Sequence, residues 1–306
     1  MNVREWALPV YSILMQLATG ALLVLWILRW LSSSKFSQSE MDRIIRNPIL
    51  VILFTIIVAM GGSHFHLSKP FYSFYAVRNF HTSWLSREIV FTLIFFLTLF
   101  LLWTLSRYMK DYRKLITALG WVAISFSFIM VYSMARIYML PTQMAWNSSS
   151  VIISFFATSC LLGTMTIACL LVLDLKFVEI QKADDIEIRV QVIKHSMAWL
   201  ALTAVIAVLI SMAVTVYQLS MLGTGDAIAQ TSLNLLFELY TPLLILRLIS
   251  LIIAPCWMYY AVYRMHYAGL TPQGLTIPVY MSCLLILIGE IIGRFLFYAT
   301  HIRVGV

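Results

Sequence analysis

The sequence predicts an all-α integral membrane protein, a single transmembrane domain over residues 1–306 folded as a bundle of eight helices. Of these residues 61% are hydrophobic and 11% are charged, and a soluble domain of this length could not bury so much apolar surface. Apolar runs of about 20 residues, enough to cross a hydrocarbon core of ~30 Å, recur along the chain. No linker rich in Pro, Gly or Ser divides it.

The eight apolar runs give the predicted membrane spans in chain order. The first is longer than the apolar part of a secretory signal and lacks an A-x-A-like cleavage site, so we expect it to be retained. The seventh contains Pro242 and Pro255, which favours a kinked helix or an interfacial segment before Pro242. The spans are Ala7–Leu31, Pro48–Leu67, Ser86–Leu105, Ile116–Leu140, Ser149–Leu173, Met197–Met221, Leu235–Val262 and Gly274–Thr300.

The distribution of Lys and Arg predicts the orientation of the bundle, because short basic loops stay in the cytoplasm. Three alternate loops and their flanks are basic, whereas the connections from Met139 to Ser149 and from Met221 to Leu235 contain no Lys or Arg. Both termini are therefore predicted on the extracytoplasmic side. The basic residues are Arg29, Lys35, Arg43 and Arg46, then Arg107, Lys110, Arg113 and Lys114, then Lys176, Lys182, Arg189 and Lys194.

The second connection departs from this rule and is basic on the predicted outer side. It contains Lys69, Arg78 and Arg87, so something other than topology requires positive charge there. The net charge of +8 otherwise reflects the bias toward the cytoplasmic loops. It does not indicate a nucleic acid partner, for which no motif is present.

Polar residues within or next to the spans map mostly to the predicted outer half. A conduit for ions would need polar groups at several depths, so this distribution favours a pocket that opens from outside. The candidate site residues are His66, Glu88, Arg136, Tyr138, Glu290, Arg294 and His301, with His64 and Gln218 at a similar depth.

The last span carries Glu290, Arg294, Phe297 and His301 at a spacing that keeps them on one face of a helix. One interpretation is that Glu290 and Arg294 neutralise each other within the helix, since buried charges are commonly paired. The other is that Arg294 holds a ligand oxygen or orients a neighbouring carboxylate. Both interpretations fit the spacing.

His66 and Glu88 flank the second connection. Pro70 ends the helix that contains His66, which leaves an imidazole near the membrane surface, where it can accept a proton from a hydroxyl group and release it to water. A simple interfacial histidine is the alternative. Glu88 close to a helix start is also explained by the helix dipole. The two residues together favour a functional site more than either does alone.

Several segments resemble the membrane-anchor subunits of bacterial dimethyl sulfoxide reductases, a family related to polysulfide reductase membrane subunits. The resemblance extends from the first helix to the C-terminus. Two departures are Ser68-Lys69 after the His-Leu pair and a long, charged inner loop from Lys176 to Lys194. The matching segments are His66-Leu67-Ser68-Lys69-Pro70, Asn79, Leu85-Ser86-Arg87-Glu88-Ile89, Met134-Ala135-Arg136-Ile137-Tyr138, Trp146, Arg247, Gly289-Glu290-Ile291-Ile292-Gly293-Arg294, Phe297-Tyr298 and His301.

The resemblance implies an anchor subunit that oxidises menaquinol and is itself outside the catalytic core of an oxidoreductase complex. His66 and Glu88 match the residues associated with menaquinol oxidation in that family. Electrons would pass to an iron–sulfur subunit with 4Fe–4S clusters and on to a molybdopterin catalytic subunit. The expected location is the bacterial inner membrane, in contact with lipid and the quinone pool, with the quinol site and partner subunits on the periplasmic side.

On this interpretation menaquinol is a bound substrate, and the protein itself carries no haem or iron–sulfur cluster. Cys160, Cys169, Cys256 and Cys283 lack the C-x-x-C spacing typical of cluster ligands. Two alternatives remain open: a haem b-containing cytochrome anchor subunit, with His64 or His66 facing His301, and a secondary transporter. No inverted repeat supports the transporter.

Overall fold

The computed structural model describes residues 7–64, 75, 77–109, 111–143, 145–181, 186–300 and 302. Within these residues it contains α-helices and short 3-10 turns and no β-strand, and eight of its helices are long and apolar enough to cross a membrane. The helices are α1 (Ala7–Ser32), α2 (Gln38–His64), α3 (Trp84–Tyr108), α4 (Arg113–Tyr138), α5 (Ser150–Gln181), α6 (Ile186–Thr224), α7 (Ala227–Leu239), α8 (Thr241–Tyr267) and α9 (Thr276–Ala299). All but α7 are candidate spans, so the predicted eight-helix membrane protein is confirmed.

Helices α1 and α5 form the centre of the bundle. Their most apolar stretches are 67% buried inside the protein, against 33% for α3 and α8. Helix α1 packs along α5, and α2, α4 and α9 also contact α1. Around this centre, α3 packs against α4, and α8 packs against α9. Residues of α3 and α8 that point away from this centre are large apolar side chains, including Leu97, Phe100 and Ile252, as expected for surfaces that face lipid.

The crossing of α1 and α5 depends on two glycines. A Cβ atom on Gly20 would lie 1.7 Å from the carbonyl oxygen of Ser159, and a Cβ atom on Gly163 would lie 2.0 Å from the carbonyl carbon of Gly20. Small residues at such crossings let helix backbones approach closely, and packing of this kind drives helix association in lipid.

Three helices extend well beyond the predicted spans. Helix α2 begins at Gln38 rather than Pro48, α5 continues to Gln181, and α6 begins at Ile186. The prediction that residues Lys176 to Lys194 form a loop was therefore wrong, because most of this segment forms the end of α5 and the start of α6. At 1.5 Å per residue, the 39 residues of α6 extend roughly 58 Å, about twice the hydrocarbon core, so its charged end lies outside that core.

Ion pairs hold the charged ends of these helices together. Arg29 of α1 donates to Asp42 of α2 at 2.9 Å. Arg189 of α6 donates to Asp174 of α5 at 2.6 Å, and Asp174 also accepts from Asn47 of α2 at 3.1 Å. Both carboxylates are buried, and each is paired with an arginine, as a buried charge requires.

The predicted break before the seventh span is also present. Helix α7 ends at Leu239, Tyr240 has a non-helical backbone, and α8 begins with Pro242 in its first turn, where its missing N–H needs no partner. Helix α8 then continues through Pro255. The seventh predicted span thus consists of a short helix followed by a spanning one.

Candidate functional site

The candidate site residues that the structure describes gather at one end of the bundle. This is the end at which α1, α3 and α5 begin and α4, α6 and α9 finish, and we call it the polar end. His66 and His301 lie outside the described residues. Of the other five, Glu88 and Tyr138 lie beside α1, Glu290 and Arg294 lie on α9, and Arg136 lies against a tryptophan of α3.

Glu88 is a buried carboxylate in the second turn of α3. The helix begins after Ser83, whose hydroxyl group accepts from the N–H of Ser86 at 3.3 Å, so Glu88 is the fifth helical residue, beyond the first turn where the helix dipole acts. Its residue exposure is 5%, and it forms no ion pair with any residue that the structure describes. The helix-dipole interpretation therefore does not explain Glu88.

Tyr11 of α1 connects this part of α3 to the first helix. The Tyr11 hydroxyl group hydrogen-bonds to the Thr92 hydroxyl group at 3.0 Å. Thr92 is one helical turn beyond Glu88 on α3. Helices α1 and α3 are thus joined beside Glu88 by hydroxyl groups, and no cation pairs with Glu88 among the described residues.

Two tyrosines connect this region to the last helix. The hydroxyl groups of Tyr138 of α4 and Tyr298 of α9 share a hydrogen bond. The Tyr138 ring also packs edge-on against Trp146 at 5.4 Å and Phe297 at 5.3 Å between ring centroids. Tyr138 thereby joins the end of α4 to the end of α9.

Arg294 of α9 reaches across the bundle to α1 and α5. Its Nη2 atom donates to Oε1 of Gln16 at 2.6 Å, and Nε2 of Gln16 donates to the carbonyl oxygen of Phe155 at 3.2 Å. The guanidinium carbon lies 4.0 Å from the centroid of the Phe155 ring. We call three neighbouring groups at this end, Tyr11 with Glu88, Gln16 with Arg294, and Tyr138 with Tyr298, the buried polar network; Gln16, Glu88 and Arg294 are buried and the three tyrosines are half-buried.

Glu290 and Arg294 do not pair with each other, although both are buried, with exposures of 4% and 6%. Oε2 of Glu290 instead accepts from the hydroxyl group of Thr158 at 2.7 Å. Its Oε1 atom has no hydrogen-bond partner among the described residues. Among the described residues, Glu290 and Arg294 therefore form no direct ion pair, and each has a hydrogen-bond partner on another helix.

Glu290 lines a cavity of about 90 Å³ between α5, α6, α8 and α9. Arg247 of α8 lines the same cavity, packs against Gly293, and has a buried Nε atom with no partner among the described residues. Arg294 also lines this cavity, so this member of the buried polar network connects the cavity to Gln16 of α1.

Arg136 of α4 is placed beside Trp84 rather than in the network. Its guanidinium carbon lies 5.0 Å from the Trp84 ring centroid, and that of Arg87 lies 4.2 Å from the same ring. Nε of Arg136 is buried without a partner among the described residues. Arg87 donates to the carbonyl oxygens of Phe80 and His81, so it orders the connection that follows His66.

Tyr11 and Gln16 are functional candidates that sequence reasoning missed. A signal was present: Ser12, Gln16 and Thr19 are spaced i, i+4 and i+7, a polar stripe on an otherwise apolar helix. All three are buried. No group of three or more His, Cys, Asp or Glu side chains that could hold a metal occurs among the described residues.

Comparison with known proteins identifies the family. A family model described as DMSO reductase anchor subunit (DmsC) matches residues 1–300. The chain belongs to this family. It is similar to the YnfH protein of the anaerobic dimethyl sulfoxide reductases of Escherichia coli (strain K12), with 28% identity over 99% of this chain and 96% of the relative.

Two further relatives give the same result. The protein is 26% identical to the C subunit of anaerobic dimethyl sulfoxide reductase from Escherichia coli (strain K12), over 99% of its own length and 96% of the relative. It is also 26% identical to the C subunit of anaerobic dimethyl sulfoxide reductase from Haemophilus influenzae, over 100% of its own length and 98% of the relative. The resemblance drawn from the segments above is confirmed. An anchor subunit of a DMSO reductase complex implies catalytic and electron-transfer partner subunits.

Proposed function

We propose that this anchor subunit oxidises menaquinol at the polar end and passes the electrons to an iron–sulfur subunit, from which they reach a molybdopterin catalytic subunit. The observation that carries the proposal is Glu88, a carboxylate with 5% exposure, no ionic partner among the described residues and a position near one end of a spanning helix. A buried ionisable group in a membrane helix is expensive to desolvate and usually functional.

The chemistry of quinol oxidation matches the residues at this end. Oxidising a hydroquinone breaks two O–H bonds, releases two protons and sends two electrons to an acceptor. The site therefore needs proton acceptors near the hydroxyl groups and apolar walls for the ring. We propose that His66, outside the described residues, takes one hydroxyl proton and that Glu88 takes part in the transfer to water.

The other candidate residues are proposed to position the quinol. Arg136 has a buried donor without an acceptor among the described residues, beside the Trp84 ring, so we propose that it holds a quinol oxygen. Tyr138, which bonds to α9, and Arg294, which bonds to α1, are proposed to line the site on the side of these two helices. His301, also outside the described residues, is proposed as a further quinol-binding residue. Glu290 is proposed to accept and release protons at the cavity that it lines.

We infer that the polar end faces the periplasm of a bacterial inner membrane, so that both termini and the partner subunits lie there. The basic residues Lys35, Arg107 and Arg189 lie at the opposite end of the bundle from Glu88. Because basic loops stay in the cytoplasm, this arrangement supports a periplasmic polar end.

The test compares Glu88→Gln and His66→Ala with the wild-type complex. Each variant removes a proton acceptor, and general acid–base catalysis contributes about 10²–10⁴-fold, so reduction of dimethyl sulfoxide driven by a menaquinol analogue should fall by about 100-fold or more. Reduction driven by benzyl viologen radical, which bypasses the quinol site, should be unchanged.

A matched control keeps this test specific. Glu238 of α7 is exposed near the same end, so Glu238→Gln makes the same chemical change outside the site and should leave both rates unchanged. Co-purification of the partner subunits shows that each variant assembles. Wild-type quinol oxidation in Glu88→Gln would remove the carboxylate from the mechanism.

A further inference from the structure

The cavity beside α9 extends along the outer part of that helix. On α9 its lining runs from Glu290 to Thr300, ten residues that correspond to about 15 Å along the helix axis at 1.5 Å per residue. Ala145, Leu222 and Thr300 line the outer part, near the ends of α6 and α9, and Glu290 lies at the deep end with Thr158. We call this cavity the α9 shaft.

The volume of the α9 shaft decides what it can hold. A cavity of about 90 Å³ has room for several water molecules. It is smaller than the ~150 Å³ cavity that accepts a single benzene ring, and the bicyclic ring of a menaquinol is larger still. The α9 shaft is therefore sized for a short chain of water and not for the quinol.

The polar atoms along the α9 shaft require such water. Oε1 of Glu290 and Nε of Arg247 are buried without partners among the described residues, whereas buried polar atoms in proteins nearly always have one. Gln218 and Thr215 line the wall of α6 between the deep end and the outer part. Water molecules would bridge these groups, because each finds several polar partners there.

Few charges act on Glu290 within the α9 shaft. Among its lining residues, α5, α6 and α7 contribute no ionisable side chain, α8 contributes Arg247, and α9 contributes Arg294 besides Glu290 itself. Arg294 also donates to Gln16 of α1, in the buried polar network. Glu290 is thus the single carboxylate in the α9 shaft, which it shares with two guanidinium groups, and Arg294 connects this lining to Gln16.

We propose that the α9 shaft is a water passage to the polar end and that Glu290 passes through it one of the two protons released from each quinol. This inference rests on the proposed quinol oxidation. When a quinol O–H bond breaks, the electrons leave to the iron–sulfur subunit, and the proton moves to the Glu290 carboxylate. Glu290 then releases it to the water of the α9 shaft.

The first test is Glu290→Gln, which keeps the hydrogen bond from Thr158 but cannot carry a proton. Quinol-driven turnover should fall about tenfold or more and show a larger solvent isotope effect, while viologen-driven turnover and subunit assembly stay at wild-type levels. Glu238→Gln is the matched control and should change neither rate. Wild-type turnover and isotope effect in Glu290→Gln would overturn the proposal.

The second test closes the α9 shaft and leaves the carboxylate intact. Ser154 of α5 lines the α9 shaft, so Ser154→Leu fills it, whereas Ser125→Leu makes the same change on an exposed face of α4. Ser154→Leu should slow quinol-driven turnover toward the rate of Glu290→Gln, because the proton can no longer leave the carboxylate, and Ser125→Leu should not. Equal wild-type rates in both variants would contradict the passage.

Infrared spectroscopy tests the α9 shaft without any turnover. The carboxyl band lost in Glu290→Gln should exchange in D₂O within seconds in the wild type and at least tenfold more slowly in Ser154→Leu. A band that does not exchange in the wild type would show that water does not reach Glu290. If the wild-type complex fails to oxidise menaquinol while this band exchanges, the proposed function fails and the water passage stands.

Discussion

At the scale of single residues, Arg294 links three helices through one side chain. It is 6% exposed, donates to Gln16 of α1 at 2.6 Å and lies 4.0 Å from the Phe155 ring of α5. Gln16 in turn donates to the backbone of Phe155. A buried guanidinium group without an acceptor is unfavourable, so Gln16 is what makes the position of Arg294 stable.

Replacing Gln16 with Leu should therefore destabilise the protein more than its small change in volume suggests. Gln16→Leu removes the acceptor of a charge-assisted hydrogen bond, a loss of about 1.5–3 kcal/mol. Thermal unfolding of the purified complex in detergent measures the change. Gln191→Leu, at an exposed position of α6, is the control and should stay within about 0.5 kcal/mol of the wild type. Equal stability of the two variants would contradict the role of Gln16.

The residues of the site were only partly predictable for a physical reason. Glu88, Glu290 and Arg294 stand out because a charge within an apolar run has few structural explanations. Tyr11 does not stand out, since a tyrosine near a helix start is also typical of the aromatic belt at a membrane surface. The partners of Arg294 could not be predicted either, because they depend on which helices neighbour α9, and the sequence pattern does not specify that.

At the scale of helices, the crossing of α1 and α5 is the closest contact of the bundle centre. Each Cβ atom added at this crossing meets backbone atoms at about 2 Å, and the backbone cannot move aside in the way that flexible side chains do. The buried polar network depends on this crossing, because Gln16 and Phe155 reach each other across the same two helices.

Gly163→Ala should therefore disrupt the bundle. The added methyl group would lie 2.0 Å from the carbonyl carbon of Gly20, and overpacking of this kind costs about 1–3 kcal/mol or more. The control is Gly61→Ala in α2, where an added Cβ meets nothing within 4 Å and alanine improves helix propensity. The yield of assembled complex from membranes and its unfolding temperature should fall for Gly163→Ala alone; a parallel fall in Gly61→Ala would contradict the argument.

Helix positions were predicted better than helix ends. The apolar runs located all eight spans because crossing a bilayer requires about 20 apolar residues. The ends of α2, α5 and α6 were missed because they lie outside the hydrocarbon core, where Asp42, Asp174 and Arg189 form ion pairs between helices and leave no apolar signal. The break before α8 was predicted because Pro242 marks it directly.

At the scale of the whole molecule, the first and last helices bring distant parts of the sequence to one end. Helix α1 contacts α9 as well as α5, so Arg294 from the end of the chain bonds to Gln16 near its start, at the same end of the bundle as Glu88. The sequence showed two polar clusters at similar depth. Their arrangement around α1 depends on the packing order of the helices.

The orientation of the polar end can be measured by the labelling of single cysteines. In a protein whose four native cysteines are replaced, Asn147→Cys places a thiol between α4 and α5 at the polar end, and Ser34→Cys places one between α1 and α2 at the opposite end. Both positions are exposed. Because basic loops stay in the cytoplasm, an impermeant maleimide should label Asn147→Cys in cells with a permeabilised outer membrane, and Ser34→Cys only after the inner membrane is opened.

The reverse labelling pattern would place the quinol protons in the cytoplasm and contradict the periplasmic site.

In the predicted orientation, protons released from the quinol emerge on the side where a periplasmic partner consumes protons to reduce its substrate. Turnover would then move no net charge across the membrane. A voltage-sensitive dye in vesicles that contain the oriented complex should accordingly show no change in membrane potential during menaquinol-driven reduction of dimethyl sulfoxide.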